Sequence, residues 1–249
     1  MRETLYGRNA VYESLRARRR EFYRLLIADT VRPTDIVADI LALAEGTGLP
    51  VEWVPRRHLD WLGETNHQGI ALEASEYPYA DPDDILAEGR RRGEPAFLLL
   101  LDLLQDPQNV GNLLRTAEAV GVHGVVLQQR RAVGITPAVV HTSAGAVEHL
   151  LITQIPNLPE TIERLKAQDI WVIGLEAARG ARRYDQSEYT GPVALVVGSE
   201  GEGLRRLVAE RCDWIVELPM RGKVSSLNAA VAGSVVLYEV WRQRSAAKI

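Results

Sequence analysis

Two apolar patterns alternate along this chain, and each predicts a different element. Continuous runs such as AFLLLL at 96–101 and VALVV at 193–197 are what strands of a parallel sheet look like when both faces are covered. Spaced sets such as Val110, Leu113, Leu114, Ala117 and Val120, at i, i+3, i+4, i+7 and i+10, mark a helix with one buried stripe. Between Leu5 and Ser75 the pattern predicts a helix around Ala10, Val11 and Leu15, a strand at 24–28, a helix over 35–45 and strands at 51–55 and 69–74. Beyond Pro95 it predicts strands at 96–101, 124–128, 170–175, 193–197 and 214–218, with helices near 109–120, 158–167, 203–210 and 226–243. Between these parts, residues 76–95 hold three prolines, six acids and three arginines, the composition of a linker. The expected organisation is a small α/β module over 1–75, a linker over 76–95 and a parallel α/β domain over 96–249.

Charge sharpens this picture only locally. The 249 residues carry a net −4, so any nucleic-acid contact has to come from patches rather than from the overall balance. Residues 1–24 hold seven arginines against three acids, including RARRR at 16–20. That run suits either a phosphate backbone or a solvated helix end. Cys212 is the only cysteine, which excludes an internal disulfide and a four-cysteine zinc site. No signal-like apolar segment opens the chain, and the longest apolar run is broken by Asp102. A soluble cytoplasmic protein is expected.

Ligands of parallel sheets bind beyond the carboxyl ends of the strands, which directs attention to the loops at 102–109, 198–203 and 219–226. In the first, QDPQNVGNLLRTA, Asp106 reads as a helix cap with Pro107 after it, and Asn109, Asn112 and Arg115 fall off the buried stripe. The second, GSEGEG, has the spacing of neither a dinucleotide fingerprint nor a phosphate loop. Its glycines admit a flat ligand, while Glu200 and Glu202 repel a polyphosphate and tolerate a cationic or neutral group. The third, LPMRGKVSSLNAAVAGSVVLYEVW, brings Ser225, Ser226 and Asn228 to a helix start, and its small residues allow close approach of another backbone. His58, His67, His123, His141 and His149 lack metal-ligand spacing and are expected to be surface or packing residues.

NVGNLLRTA, VVGSEGEGL and LPMRGKVSSLNAAVAGSVVLYE, in this order, resemble the three signature motifs of the SpoU (TrmH) family of RNA ribose 2′-O-methyltransferases. YGRNAVYESL, NHQGIALEA and HTSAGAVEHLLITQIPNL further resemble the RlmB-type bacterial members, which modify a guanosine of 23S rRNA. The resemblance implies a SPOUT-class fold, a trefoil-knotted parallel-sheet methyltransferase domain behind a small N-terminal α/β RNA-binding domain. Threading of this kind is otherwise almost absent from proteins and is not readable from periodicity. The implied cofactor is S-adenosyl-L-methionine, held by Leu175, Gly198, Glu200, Gly203, Leu218, Met220, Ser226 and Leu227. The implied catalytic set is Arg115, Asn109, Glu200, Ser226 and Asn228, with Glu200 orienting Arg115 through charge-assisted hydrogen bonds.

Two roles remain open for Arg115: clamping a phosphate and stabilising an oxyanion, or acting as a base when its setting deprotonates it. The implied partners are rRNA and a second copy of the chain, with no metal and no membrane. The alternatives are a 2′-O-methyltransferase acting on tRNA or on another rRNA nucleotide, and a non-catalytic RNA-binding or ribosome assembly protein.

Overall fold

The structure is a computed structural model that describes residues 2–62, 66–224 and 226–247. In chain order its first elements are β1 (Arg2–Tyr6), α1 (Arg8–Ala17), β2 (Phe22–Ala28), α2 (Ile36–Thr47), β3 (Val51–Val54), a 3-10 turn (Arg56–Leu62), β4 (Ile70–Ser75), α3 (Pro82–Arg92) and β5 (Phe97–Asp102). There follow α4 (Pro107–Ala119), β6 (Gly124–Gln128), α5 (Pro137–Thr142), a 3-10 turn (Ala146–His149), β7 (Ile152–Ile155), α6 (Leu158–Lys166) and β8 (Trp171–Leu175). The last are β9 (Arg182–Arg183), β10 (Val193–Gly198), α7 (Arg206–Arg211), β11 (Trp214–Glu217) and α8 (Ala229–Ala247). The chain forms two compact units, one of Met1–Pro78 with Ile135–His149 and one of Tyr79–Gly134 with Leu150–Ile249.

In the first unit the sheet order is β1-β4-β2-β3, with β4 antiparallel to both neighbours and β3 parallel to β2. Helix α1 buries Ala10, Val11, Ser14 and Leu15 along one face and stops where Arg18 turns left-handed, its N–H returning to the Ser14 carbonyl. The RARRR run is only partly a free surface. Arg20 is buried and pairs with buried Glu148 at 2.8 Å and with Glu3 at 2.8 Å. Arg16 pairs with Glu13, and Arg19 donates to the Tyr77 hydroxyl at 3.1 Å. Glu148 comes from the returning segment 135–149, a partner that local sequence could not reveal.

In the second unit seven strands run in the order β7-β6-β5-β10-β8-β11-β9, and every neighbouring pair is parallel. All six residues of β5 and all six of β10 are buried, as their unbroken apolar runs require. Leu98, Leu100, Ala194 and Val196 pack with Ile162 and Leu165 of α6 and Val208 of α7. Helix α8 lies along α4, where the Thr116 and Ser234 hydroxyls bond at 2.8 Å and a Cβ at Gly233 would stand 2.8 Å from Leu113. Arg244 fastens the far end of α8, donating to the carbonyls of Tyr189, Gly191, Pro95 and Ala96. Burial pushes this guanidinium down to about 10.

Residues 82–92, which composition places in a linker, form α3, capped by Asp81 accepting from the Asp83 N–H at 2.9 Å. Its apolar periodicity is too thin to read, since only Ile85 and Gly89 are buried. The polar or very short strands β1, β7 and β9 and the six-residue α5 also lie outside the predicted set. Among the described residues no helix is long and apolar enough to cross a membrane.

Candidate active site

Register brings the functional loops to one edge of the second unit's sheet. Gly198 pairs with Asp102, and Leu175 pairs with both Val197 and Val216, so β5, β8, β10 and β11 end at about the same level. A cavity of about 250 Å³ opens there. Its walls are Leu175 to Ala177 after β8, Val197 to Gly203 after β10, Leu218 and Met220 after β11, and Ser226, Leu227, Ala229 and Ala232 at the start of α8. Leu175, Gly198, Glu200, Gly203, Leu218, Met220, Ser226 and Leu227, the residues expected to hold a cofactor, all line it. Ser225 lies outside the described residues.

The 198–203 loop is tight for an identifiable reason. Gly203 has φ +68 and bridges back to Ser199, its N–H donating to the Ser199 carbonyl at 3.1 Å. A Cβ on Gly198 would press against the Gly203 carbonyl and lie 2.7 Å from the Leu204 nitrogen. Both contacts are backbone, so no rotamer change relieves them. Asp102, buried at the end of β5, accepts from the Arg205 N–H at 2.9 Å and Nε–H at 2.7 Å, while Arg205 also reaches Gln128 at 2.8 Å. Glu176 accepts from the Leu204 N–H at 3.3 Å. Neither anchor follows from the motifs, although both residues stand at strand ends, where the fold class says to look.

The cavity's charge is one-sided. Glu176, Glu200 and Glu202 line it together with Leu175, Leu218, Met220 and Leu227, and no lysine, arginine or histidine does so among the described residues. Carboxylates over apolar walls attract a cationic ligand and repel a polyphosphate.

At the cavity's edge Asn228 ties the three loops together. Its Nδ2 donates to Asn109 Oδ1 at 2.7 Å and to the Glu200 carboxylate in a shorter contact. Its Oδ1 accepts from the Ala230 and Val231 N–H groups at 3.0 and 3.2 Å, which caps α8. Asn109 is buried, and its N–H is satisfied by Asp106 at 3.1 Å. Arg115 stands apart. It is exposed, and its guanidinium makes no hydrogen bond or ion pair with any described residue. Within the chain Glu200 takes Asn228, and no Arg115–Glu200 contact forms among the described residues. Six residues of helical rise, about 9 Å, separate Arg115 from Asn109.

His67 and His123 serve local structure. His67 Nδ1 accepts from the Gly69 N–H at 3.0 Å, and burial holds its imidazole below the ordinary value. This gives the turn before β4 a role for His67 that the sequence does not show. His123, also lowered by burial, accepts from the Phe97 N–H at 3.1 Å. Burial pushes the Cys212 thiol up to about 12, an inert state. Among the described residues no cluster of three or more metal-ligating side chains occurs.

Residues 96–238 match the SpoU rRNA Methylase family, and residues 4–80 match the family described as RNA 2′-O ribose methyltransferase substrate binding. The chain is similar to Bacillus subtilis YacO, assigned to the TrmH family of tRNA/rRNA methyltransferases, at 42% identity over 96% of this chain and 95% of that one. In fold it is similar to the SpoU methyltransferase AviRb of Streptomyces viridochromogenes, crystallised with S-adenosylmethionine, at TM-score 0.80 and 24% identity, covering 98% of this chain and 91% of that one. It is also similar to an rRNA methyltransferase of Sinorhizobium meliloti, at TM-score 0.78 and 25% identity, covering 97% and 87%.

Proposed function

Because the chain belongs to the SpoU rRNA methylase family, we propose that it transfers the methyl group of S-adenosylmethionine to a ribose 2′-hydroxyl, specifically that of a guanosine in 23S rRNA. The observation that carries this reading is the cavity: three carboxylates, apolar walls, a glycine whose Cβ position is already filled by backbone, and no cationic lining residue among the described residues. That donor set fits a sulfonium with a flat base and does not fit a polyphosphate. When bound, the cofactor supplies an electrophilic methyl group on sulfur. The chain's own task is placement, since holding two reactants in a near-attack pose can supply about 7–11 kcal/mol. Asn228, fixed by Asn109 and Glu200, keeps the loops in register around the reacting groups. A guanidinium standing in water is a fixed cation with a fork of donors, and Arg115 is exposed. We therefore assign it to clamping the substrate phosphate and steadying the oxyanion rather than to acting as a base.

The target assignment to 23S rRNA rests on the RlmB-like motifs and on the likeness to an rRNA methyltransferase along almost the whole chain. Such an enzyme works in the cytoplasm. The test is a tritiated-methyl assay on unmodified 23S rRNA, 16S rRNA and tRNA transcripts. Methyl should enter 23S rRNA at one 2′-hydroxyl, and Arg115→Ala should lower turnover by about 100-fold or more without changing cofactor affinity. Near-normal turnover ends the Arg115 assignment, labelled tRNA redirects the substrate, and no labelled RNA at all leaves the assembly-protein reading standing.

We further propose that two copies associate through α8. Val231, half-buried Val235, Tyr238 and Trp241 form a stripe at i, i+4, i+7 and i+10, with Val231 50%, Tyr238 50% and Trp241 46% exposed. A self-complementary apolar stripe of this kind suits a two-fold dimer. In this reading Arg115, on the neighbouring helix α4, acts in the assembly rather than within its own chain. The double variant Tyr238→Glu/Trp241→Glu should run as a monomer in light scattering and lose methyl transfer. A wild-type chain that is already monomeric removes the proposal.

A further inference from the structure

The first unit contains a second cavity, of about 580 Å³, unlike the cofactor cavity in every respect that matters for recognition. It lies where β1, β2 and β3 end and β4 begins. Three arginines line it: Arg8 opens α1, Arg32 lies in the loop after β2, and Arg56 follows β3. Thr30 and Thr34 add hydroxyls from the same loop as Arg32, and Gln68, whose Oε1 accepts from the Arg8 N–H at 2.9 Å, closes the wall.

None of the three guanidiniums has an ion pair or side-chain hydrogen bond with a described residue, and Arg8 Nε is buried without an acceptor. Elsewhere in this unit Arg16, Arg20 and Arg24 are each matched to carboxylates. No carboxylate lines the cavity among the described residues, nor does any aromatic ring. Like charges gathered around one concavity repel one another until an anion enters. The arginine fork matches phosphate oxygens, hydroxyls serve phosphate and ribose alike, and without an aromatic platform no base is stacked there.

We propose that this cavity grips the sugar–phosphate backbone of the RNA substrate, with Arg8, Arg32 and Arg56 on phosphate oxygens and Thr30 and Thr34 beside them. It is a positioning site that reads no sequence. The inference rests on RNA being the substrate, as argued above.

The test uses the full chain and unmodified 23S rRNA transcribed in vitro, with affinity measured across a salt series. Arg32→Gln/Arg56→Gln, at two exposed positions, is the first variant, and adding Arg8→Gln makes the triple. The triple should weaken RNA binding uniformly across unrelated transcripts and flatten the log–log salt dependence by about 2. KM for RNA should rise with kcat at saturating RNA unchanged, and calorimetric cofactor affinity should not move. Arg→Lys at the same three positions should restore most of the salt slope. Arg57→Gln, which removes one charge outside the cavity, should have little effect.

Unchanged affinity and slope in the triple, with wild type methylating normally, would overturn the cavity assignment and leave the enzymatic reading intact. So would an equal loss in Arg57→Gln. If wild type binds RNA through these arginines but transfers no methyl, the enzymatic reading fails and the cavity stands. Inorganic phosphate and guanosine monophosphate, run alongside, should bind far more weakly than the transcript. Arginine-dependent binding of either at the transcript's affinity would mark a small-anion site and overturn the proposal.

Discussion

Gly198→Ala is expected to abolish S-adenosylmethionine binding, with calorimetry showing at least about a 100-fold loss of affinity, equivalent to about 2.7 kcal/mol. One methyl group has this effect because its neighbours are the Gly203 carbonyl and the Leu204 nitrogen rather than side chains. Relief requires the 199–204 turn to move, and that turn is bridged at Ser199 and Gly203 and held from behind through Leu204 and Arg205. A displaced turn closes the cavity it lines. Gly222→Ala, with open space around its Cβ position, is the matched control and should leave affinity within about twofold. Far-UV circular dichroism should be the same for both. Wild-type affinity in Gly198→Ala would exclude this loop from the ligand site.

Glu148→Ala is expected to be the most damaging single change in the first unit. Arg20 and Glu148 are both fully buried and joined at 2.8 Å, with Arg20 also donating to Glu3 and to the Ser75 carbonyl. Removing one member of such a pair costs about 3–5 kcal/mol, because the other charge is left in low dielectric. That is a large part of the 5–15 kcal/mol that holds a typical domain. The first unit's melting midpoint should fall by more than about 12 °C. Arg16→Ala, at an exposed i, i+3 pair, should cost less than about 1 kcal/mol. If the two variants melt together, the buried pair contributes no more than a surface one.

Legibility followed burial and sequence distance. The central strands were readable because β5 and β10 are buried along their whole length and allow only apolar residues. Helix α4 was readable because Asp106, Pro107 and the Val110–Leu113–Leu114–Ala117 stripe agree with one another. By contrast β7 reads ITQI, four residues with two polar ones, and α3 hides Ile85 among acids and arginines. The loops of the candidate site were legible one at a time, as glycine and asparagine placements. Their joining was not. Asn228 meets Asn109 across 119 positions and Glu200 across 28, and such pairings are set by the sheet's register. For the same reason the burial of Arg20 against Glu148, within a run that suits a phosphate backbone or a solvated helix end alike, is not legible locally.

That the first unit closes around a returning segment bears on how the protein is made. Arg20 emerges from the ribosome 128 positions ahead of Glu148, which at about 5–20 residues per second is a wait of roughly 6 to 25 s. This unit cannot close before residues 135–149 are made, because until then Arg20 has Glu3 alone of its two carboxylate partners. A nascent polypeptide stalled before that point should remain open to protease at its amino end, and one stalled beyond the appearance of residue 149 should not.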